Sequence, residues 1–251
     1  VMGKETESYS SGLSQFHKGN FHQAVLLFRS THSSSSNSLE KKRVSYLLAH
    51  SLARTNKLDE SIELFLASIK SYPEIEDYIR FHLAEVFLRS GKTKEALEQV
   101  NIIHKTFPNT LLLTKSNVLL AKILEKDNKI QTALNVLGQI EKRISGFSVR
   151  SEYRSHLPEI IFLQGDLYQK LGNKSEAYDR YRLLHIAFPT NQITRQAKEE
   201  MNKLAKDMTI NIKPLALKEY EQRTRALLRE VEYQQVVSEV SELLTINTSL
   251  P

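Results

Sequence analysis

Histidine is the residue type here most suited to chemistry, because a neutral imidazole ligates metals and exchanges protons near neutral pH. The chain has eight. His17 and His22 stand five apart, and no His-Glu-x-x-His arrangement occurs that would set two imidazoles on one helical face. His50, His82, His104, His156 and His185 stand singly and read as surface or interface residues. The carboxylate groups Glu74/Glu76/Asp77 and Glu199/Glu200 fall at expected helix starts or solvated faces, where the helix dipole favours acids. There is no Gly-rich phosphate loop and no Gly-x-Ser-x-Gly elbow. There is also no cysteine, which removes disulfides, thiol catalysis and Cys-based zinc sites. No catalytic residue, metal or cofactor is therefore expected, and the chain reads as a non-enzyme that holds or positions something.

The remaining candidates are binding residues. Arg43, Arg54, Arg80, Arg89, Lys115 and Lys122 recur at comparable places, and Tyr46, Phe81 and Phe162 each stand three residues before a small residue, Ala49, Ala84 and Gly165. His50 directly follows Ala49. Arg43, Tyr46, His50, Arg80, Phe81, Lys115, Lys122 and Phe162 are the residues expected to line a concave face with affinity for an anionic or glycan ligand. An ordinary amphipathic surface over a core is the competing reading of the same residues. Thirty-five Lys and Arg against 29 Asp and Glu leave a net charge of +6, with the two signs interspersed. Without a basic run or the aromatic motif of an RNA-binding sheet, no nucleic-acid partner is expected. No stretch has the roughly 18 apolar residues of a membrane span.

The elements that would position these residues show themselves through a repeat. A small residue is followed twelve positions later by another small one and four after that by a bulky apolar one. In three copies a Pro comes eight residues later: Ala49/Ser61/Phe65/Pro73, Ala84/Ala96/Val100/Pro108 and Gly165/Ala177/Tyr181/Pro189. Small residues twelve apart let two antiparallel helices approach closely, the bulky residue fills the groove toward the next repeat, and Pro ends the second helix. The pattern lays out helix pairs at about residues 9–30, 40–73, 76–108, 111–145 and 158–189, followed by additional helices and a partial sixth pair over 190–251. Turns are expected at Gly19, Asn56, Gly91, Asn128 and Gly172, residues that tolerate a left-handed backbone. A helix is expected over Gln192 to Lys206, on a stripe of Ile193, Ala197, Met201, Leu204 and Ala205. Ser30 to Ser38, STHSSSSNS, reads as a flexible polar loop, and Ile144 to Ser155 as an insertion.

The spacing between central small residues (Ala24, Ser61, Ala96, Ala133) resembles the tetratricopeptide repeat (TPR). That resemblance implies an all-α, right-handed superhelix, an α-solenoid of antiparallel helix pairs whose first helices line the concave face. The residues after the small first-helix position are His50, Glu85, Lys122 and Asp166, so the Asn of the chaperone-tail clamp is missing and that binding mode is not expected. A second resemblance lies in HLPEIIFLQGDLYQKLGNKSEAYDRYRLLHIAFPTNQITRQAKEEMNKL and the later LKEYEQRTRALLREVEYQQVVSEVSELL, with Tyr220, Arg223, Leu227, Leu228, Tyr233 and Val236 at recurring positions. These segments are similar to the non-catalytic helical region of bacterial soluble lytic transglycosylases. The family's catalytic Glu-Ser, Gly-Leu-Met-Gln and Ala-Tyr-Asn motifs do not occur in order. The resemblance thus implies a periplasmic helical body that positions a peptidoglycan strand or partner proteins, its catalytic domain lying elsewhere. The alternative is a free-standing TPR adaptor that binds a peptide or protein segment.

Overall fold

A computed structural model describes residues 7–146, 155–207 and 215–248, with side chains as far as residue 241. Among these residues there are thirteen α-helices and no strand. The chain divides into two compact units, residues 1–128 and 129–251. The first holds α1 (Glu7–His17), α2 (Phe21–Ser34), α3 (Ser38–Arg54), α4 (Leu58–Ser71), α5 (Glu76–Arg89), α6 (Thr93–Thr106) and α7 (Leu113–Lys126). The second holds α8 (Ile130–Ser145), α9 (Leu157–Lys170), α10 (Lys174–Ala187), α11 (Gln192–Asp207), α12 (Leu217–Arg229) and α13 (Tyr233–Thr248). Within each unit sequence neighbours pack on one another, except that α12 packs on α10 and α13 rather than on α11; α1/α2, α3/α4, α5/α6 and α9/α10 are hairpins.

Tight turns reverse the chain within the hairpins, where Gly19, Asn56, Gly91 and Gly172 adopt positive φ between 62° and 78°; Asn128, at the boundary of the two units, has φ 59°. At the ends of α4, α6 and α10 a second device repeats. Tyr72, Phe107 and Phe188 leave the helical region at φ between −138° and −124°, each just before Pro73, Pro108 or Pro189. The proline ring excludes its predecessor from helical geometry, and each aromatic N–H still bonds the carbonyl four residues back.

The small residues work within their own pair. A Cβ built on Gly12 would lie 2.7 Å from the Phe28 ring, and one on Gly165 would lie 2.5 Å from the Tyr181 ring. The bulky residue therefore closes over the small residue of its own first helix, and it also meets the next pair: Phe28 clusters with Val44 and Leu48 of α3, and Phe65 stacks on His82 of α5. In the second pair Ser61 Oγ donates to Ala49 O at 2.7 Å, so the two small positions touch directly. Ala49, Phe65, Ala84, Ala96 and Val100 join one continuous core, and Phe28 anchors a second with Tyr9, Val44 and Leu48.

Ser30 to Ser38 departs from its expectation. α2 runs on to Ser34, and α3 starts at Ser38. Thr31, Ser33 and Ser34 return their hydroxyls to carbonyls four residues back, and Asn37 Oδ1 caps α3 by accepting from Leu39 N and Glu40 N. Thr31 and Ser35 are buried. Most of the expected insertion at 144–155 lies outside the described residues.

In the second unit, α11 buries Thr194, Ala197, Met201, Leu204 and Ala205. It packs on α10 and touches α9, as the first helix of a further pair would. Arg182 grips Glu219 through two hydrogen bonds of 3.0 and 2.7 Å, fixing α12 on α10. That guanidinium also holds the Glu219 carboxyl below the usual carboxylate range. Glu141 on α8 accepts from Gln164 on α9 and Arg180 on α10, at 2.9 and 3.0 Å.

Candidate functional site

First helices α3 and α5 lie side by side in the first unit, and a cleft of about 140 Å³ opens along their seam. His50, Ala53 and Arg54 come from α3, His82, Glu85, Val86 and Arg89 from α5, and Phe65 from α4. A cavity of about 150 Å³ accommodates benzene, so this cleft has room for one side chain of similar size.

Its wall is aromatic. The His50 ring meets His82 edge-on at 4.8 Å and Phe16 of α1 at 5.2 Å. His82 stacks on Phe65 at 6.4 Å and lies 6.0 Å from Tyr46. Burial, with help from His82 and Arg54, lowers the His50 pKa to about 4, so the imidazole is neutral at physiological pH. Its Nδ1 is buried without a hydrogen-bond partner. Burial likewise pushes the Tyr46 hydroxyl up to about 12.

The rim is charged and held in place. His82 Nδ1 lies 2.8 Å from Glu85 Oε2. Arg89 donates to Ala53 O at 2.9 Å, meeting a carbonyl in the last turn of α3, where the helix dipole favours a cation. Arg54 covers the Phe21 ring at 5.0 Å. The arrangement offers an aromatic floor, in which His50 is neutral, flanked by two guanidiniums and one carboxylate. Among the described residues no group of three or more His, Asp or Glu is placed to hold a metal ion.

Of the eight residues expected to line a concave face, His50 lines this cleft, and Tyr46 packs on its Phe65 and His82. Arg80 turns away from it, donating to Glu76 at 2.6 Å and to Gln99 of α6 at 2.6 Å. Phe81 is buried in the core. Arg43 is exposed on α3 beside Tyr72 and Tyr9. Lys115 is exposed and Lys122 half-buried on α7. Phe162 belongs to the second unit, where it packs on Tyr181 at 5.6 Å, as Tyr46 packs on Phe65 at 6.1 Å. His82 and Glu85 were not among the binding candidates read from sequence, whereas Arg54 and Arg89 were among the basic residues named there. Arg54 and Arg89 share an offset: the fifth residue after the first-helix small position is basic in all five pairs, as His17, Arg54, Arg89, Lys126 and Lys170. All five sit in the last turn of a first helix.

No protein-family model matches the chain. No curated protein matches it either. Solved structures do. A tetratricopeptide repeat protein from Parabacteroides merdae aligns at a TM-score of 0.60 and 15% identity, covering 96% of this chain and 93% of that one. MamA of AMB-1 aligns at 0.53 and 14%, covering 79% and 99%. YrrB, described as a TPR protein with an unusual peptide-binding site, aligns at 0.52 and 13%, covering 76% and 90%. Together with the helix pairs, these likenesses show the fold: an all-α repeat of TPR-like antiparallel helix pairs, of the α-solenoid class.

Proposed function

We propose that this chain is a protein-interaction adaptor that holds an extended polypeptide segment against the first helices of residues 1–128. The observation that carries the reading is the cleft between α3 and α5, an aromatic floor for one anchoring side chain. Its rim residues Arg54, Glu85 and Arg89 would fix the direction of the segment through charge-assisted hydrogen bonds. The TPR-like fold supports a scaffold role, and YrrB shows that a chain of this fold carries a peptide-binding site.

The test is selection of binders from a displayed random-peptide library on the full chain. Selected peptides should share one apolar or aromatic anchor. They should lose at least tenfold in affinity on the Arg54→Ala/Glu85→Ala variant and less than twofold on Lys105→Ala, an exposed α6 position. Equal affinity for all three proteins, or no enriched peptide, would sink the proposal. The cell-wall reading rests on the residue order of 156–204 and 217–244 alone, and periplasmic localisation goes with it. Co-sedimentation of the chain with purified peptidoglycan at low salt would favour that reading, as positioning of a glycan strand by a non-catalytic body.

A further inference from the structure

The second unit contains a larger cleft, of about 730 Å³, that neither the repeat pattern nor the proposed adaptor role uses. It is bounded by the end of α10 (His185, Pro189), the start of α11 (Gln192, Arg195, Lys198), Arg223 of α12 and Gln235 of α13. Its volume lies in the range of small-molecule sites, roughly 300–1,000 Å³.

Three cationic side chains converge on it from two helices. Arg223 is buried and already engaged, with Nε 3.0 Å from both Glu239 oxygens and a further bond to the His185 carbonyl. The other nearby acid, Glu230, accepts from Thr190 Oγ1 at 2.8 Å. Arg195 and Lys198 are exposed and form no ion pair or hydrogen bond among the described residues. Two positive charges are thus left without a partner at one wall of a formed cleft. The excess of positive charge is registered inside it. Burial first, then Arg223, Lys198 and Arg182, lower the His185 pKa to about 4, so His185 adds no charge of its own.

The polar lining separates the ligand classes. Gln192 and Gln235 offer carboxamides, each with donors and an acceptor, which match the alternating N–H and C=O of a polypeptide; one N–H of Gln235 already donates to Glu239 at 3.3 Å, leaving its second N–H and its carbonyl. A phosphate-rich ligand needs donors only. From this juxtaposition we infer that the α10–α13 cleft is a second binding site, for an acidic polypeptide segment. Its carboxylates would pair with Arg195 and Lys198, and its main chain would pair with Gln192 and Gln235.

Fluorescence anisotropy of dye-labelled hexaglutamate with the full chain at low salt tests this. Wild type should bind saturably. Arg195→Glu/Lys198→Glu should raise Kd at least tenfold, while Lys94→Glu/Lys105→Glu, the same charge change on exposed positions of α6, should raise it less than twofold. Circular dichroism melting of both variants checks that they fold. Equal weakening by the two variants would reduce the effect to net charge and overturn the assignment, as would absence of saturable binding. A single-stranded oligonucleotide of equal charge binding more tightly than hexaglutamate would overturn it in favour of a nucleic acid.

Discussion

His50 occupies the seam of the first-helix cleft as a neutral group, and that neutrality ties the site to pH. In the unfolded chain its imidazole takes up a proton at about pH 6.5, whereas in the fold burial brings the value down to about 4. Between those values the unfolded state binds the additional proton. The fold therefore has its full stability above pH 6.5 and loses it progressively as the pH falls toward 4. His185 contributes with the same sign. Urea unfolding should accordingly show a lower midpoint at pH 5 than at pH 7, and His50→Phe should remove about 1–2 kcal/mol of that difference. An unchanged pH dependence in His50→Phe would show that the imidazole is not held neutral. Offset counting from Ala49 placed His50 at the cleft and Tyr46 on the Phe65 ring that forms part of its wall. The same counting failed for Phe81 and Arg80, because a repeat period fixes the helical face a residue occupies but not the depth at which it is covered. Arg80 has Glu76 one turn before it and Gln99 across the pair, and both draw its guanidinium away from the cleft. The basic residue five beyond each small position was legible too, though its reason is local: a cation in the last helical turn complements the dipole.

At the scale of helices and turns, the reversals of the four hairpins use Gly or Asn, and the one between α12 and α13 uses Val231 at φ 64°. A β-branched residue in the left-handed region costs about 1–2 kcal/mol, and Val231 is 63% exposed, so little packing offsets that cost. Val231→Gly should raise the stability of the second unit by about 1 kcal/mol, read as a higher urea midpoint. A lower midpoint would mean that the valine side chain packs more than its exposure indicates. This irregular turn follows the segment where the repeat spacing breaks down. Helices of the second, third and fifth pairs, with both small residues and a Gly or Asn turn, were readable from sequence to within two residues, as was α11 from its apolar stripe. The Ser-rich segment was not. Serine and threonine are poor helix formers in isolation, but here their hydroxyls bond the preceding turn of α2 and Thr31 is covered by the core.

For the whole chain, a repeat architecture makes stability a sum of neighbour contributions rather than one cooperative quantity. Phe65 is fully buried in the largest core cluster of the first unit, and Phe65→Ala should cost about 3–5 kcal/mol there. Hydrogen exchange followed by mass spectrometry should show protection falling across α3 to α6 while α9 and α10 keep theirs. Equal loss in α9 and α10 would show a single cooperative body instead. The closure of Phe28 over Gly12, and of Tyr181 over Gly165, bears on how such a chain is made. Each of these fits joins residues sixteen apart, on the two helices of one hairpin. A polypeptide leaving the ribosome can seat such a ring once its second helix is out, before any later pair has been translated. The order of synthesis can thus serve as the order of assembly, with few apolar surfaces waiting for a distant segment to arrive.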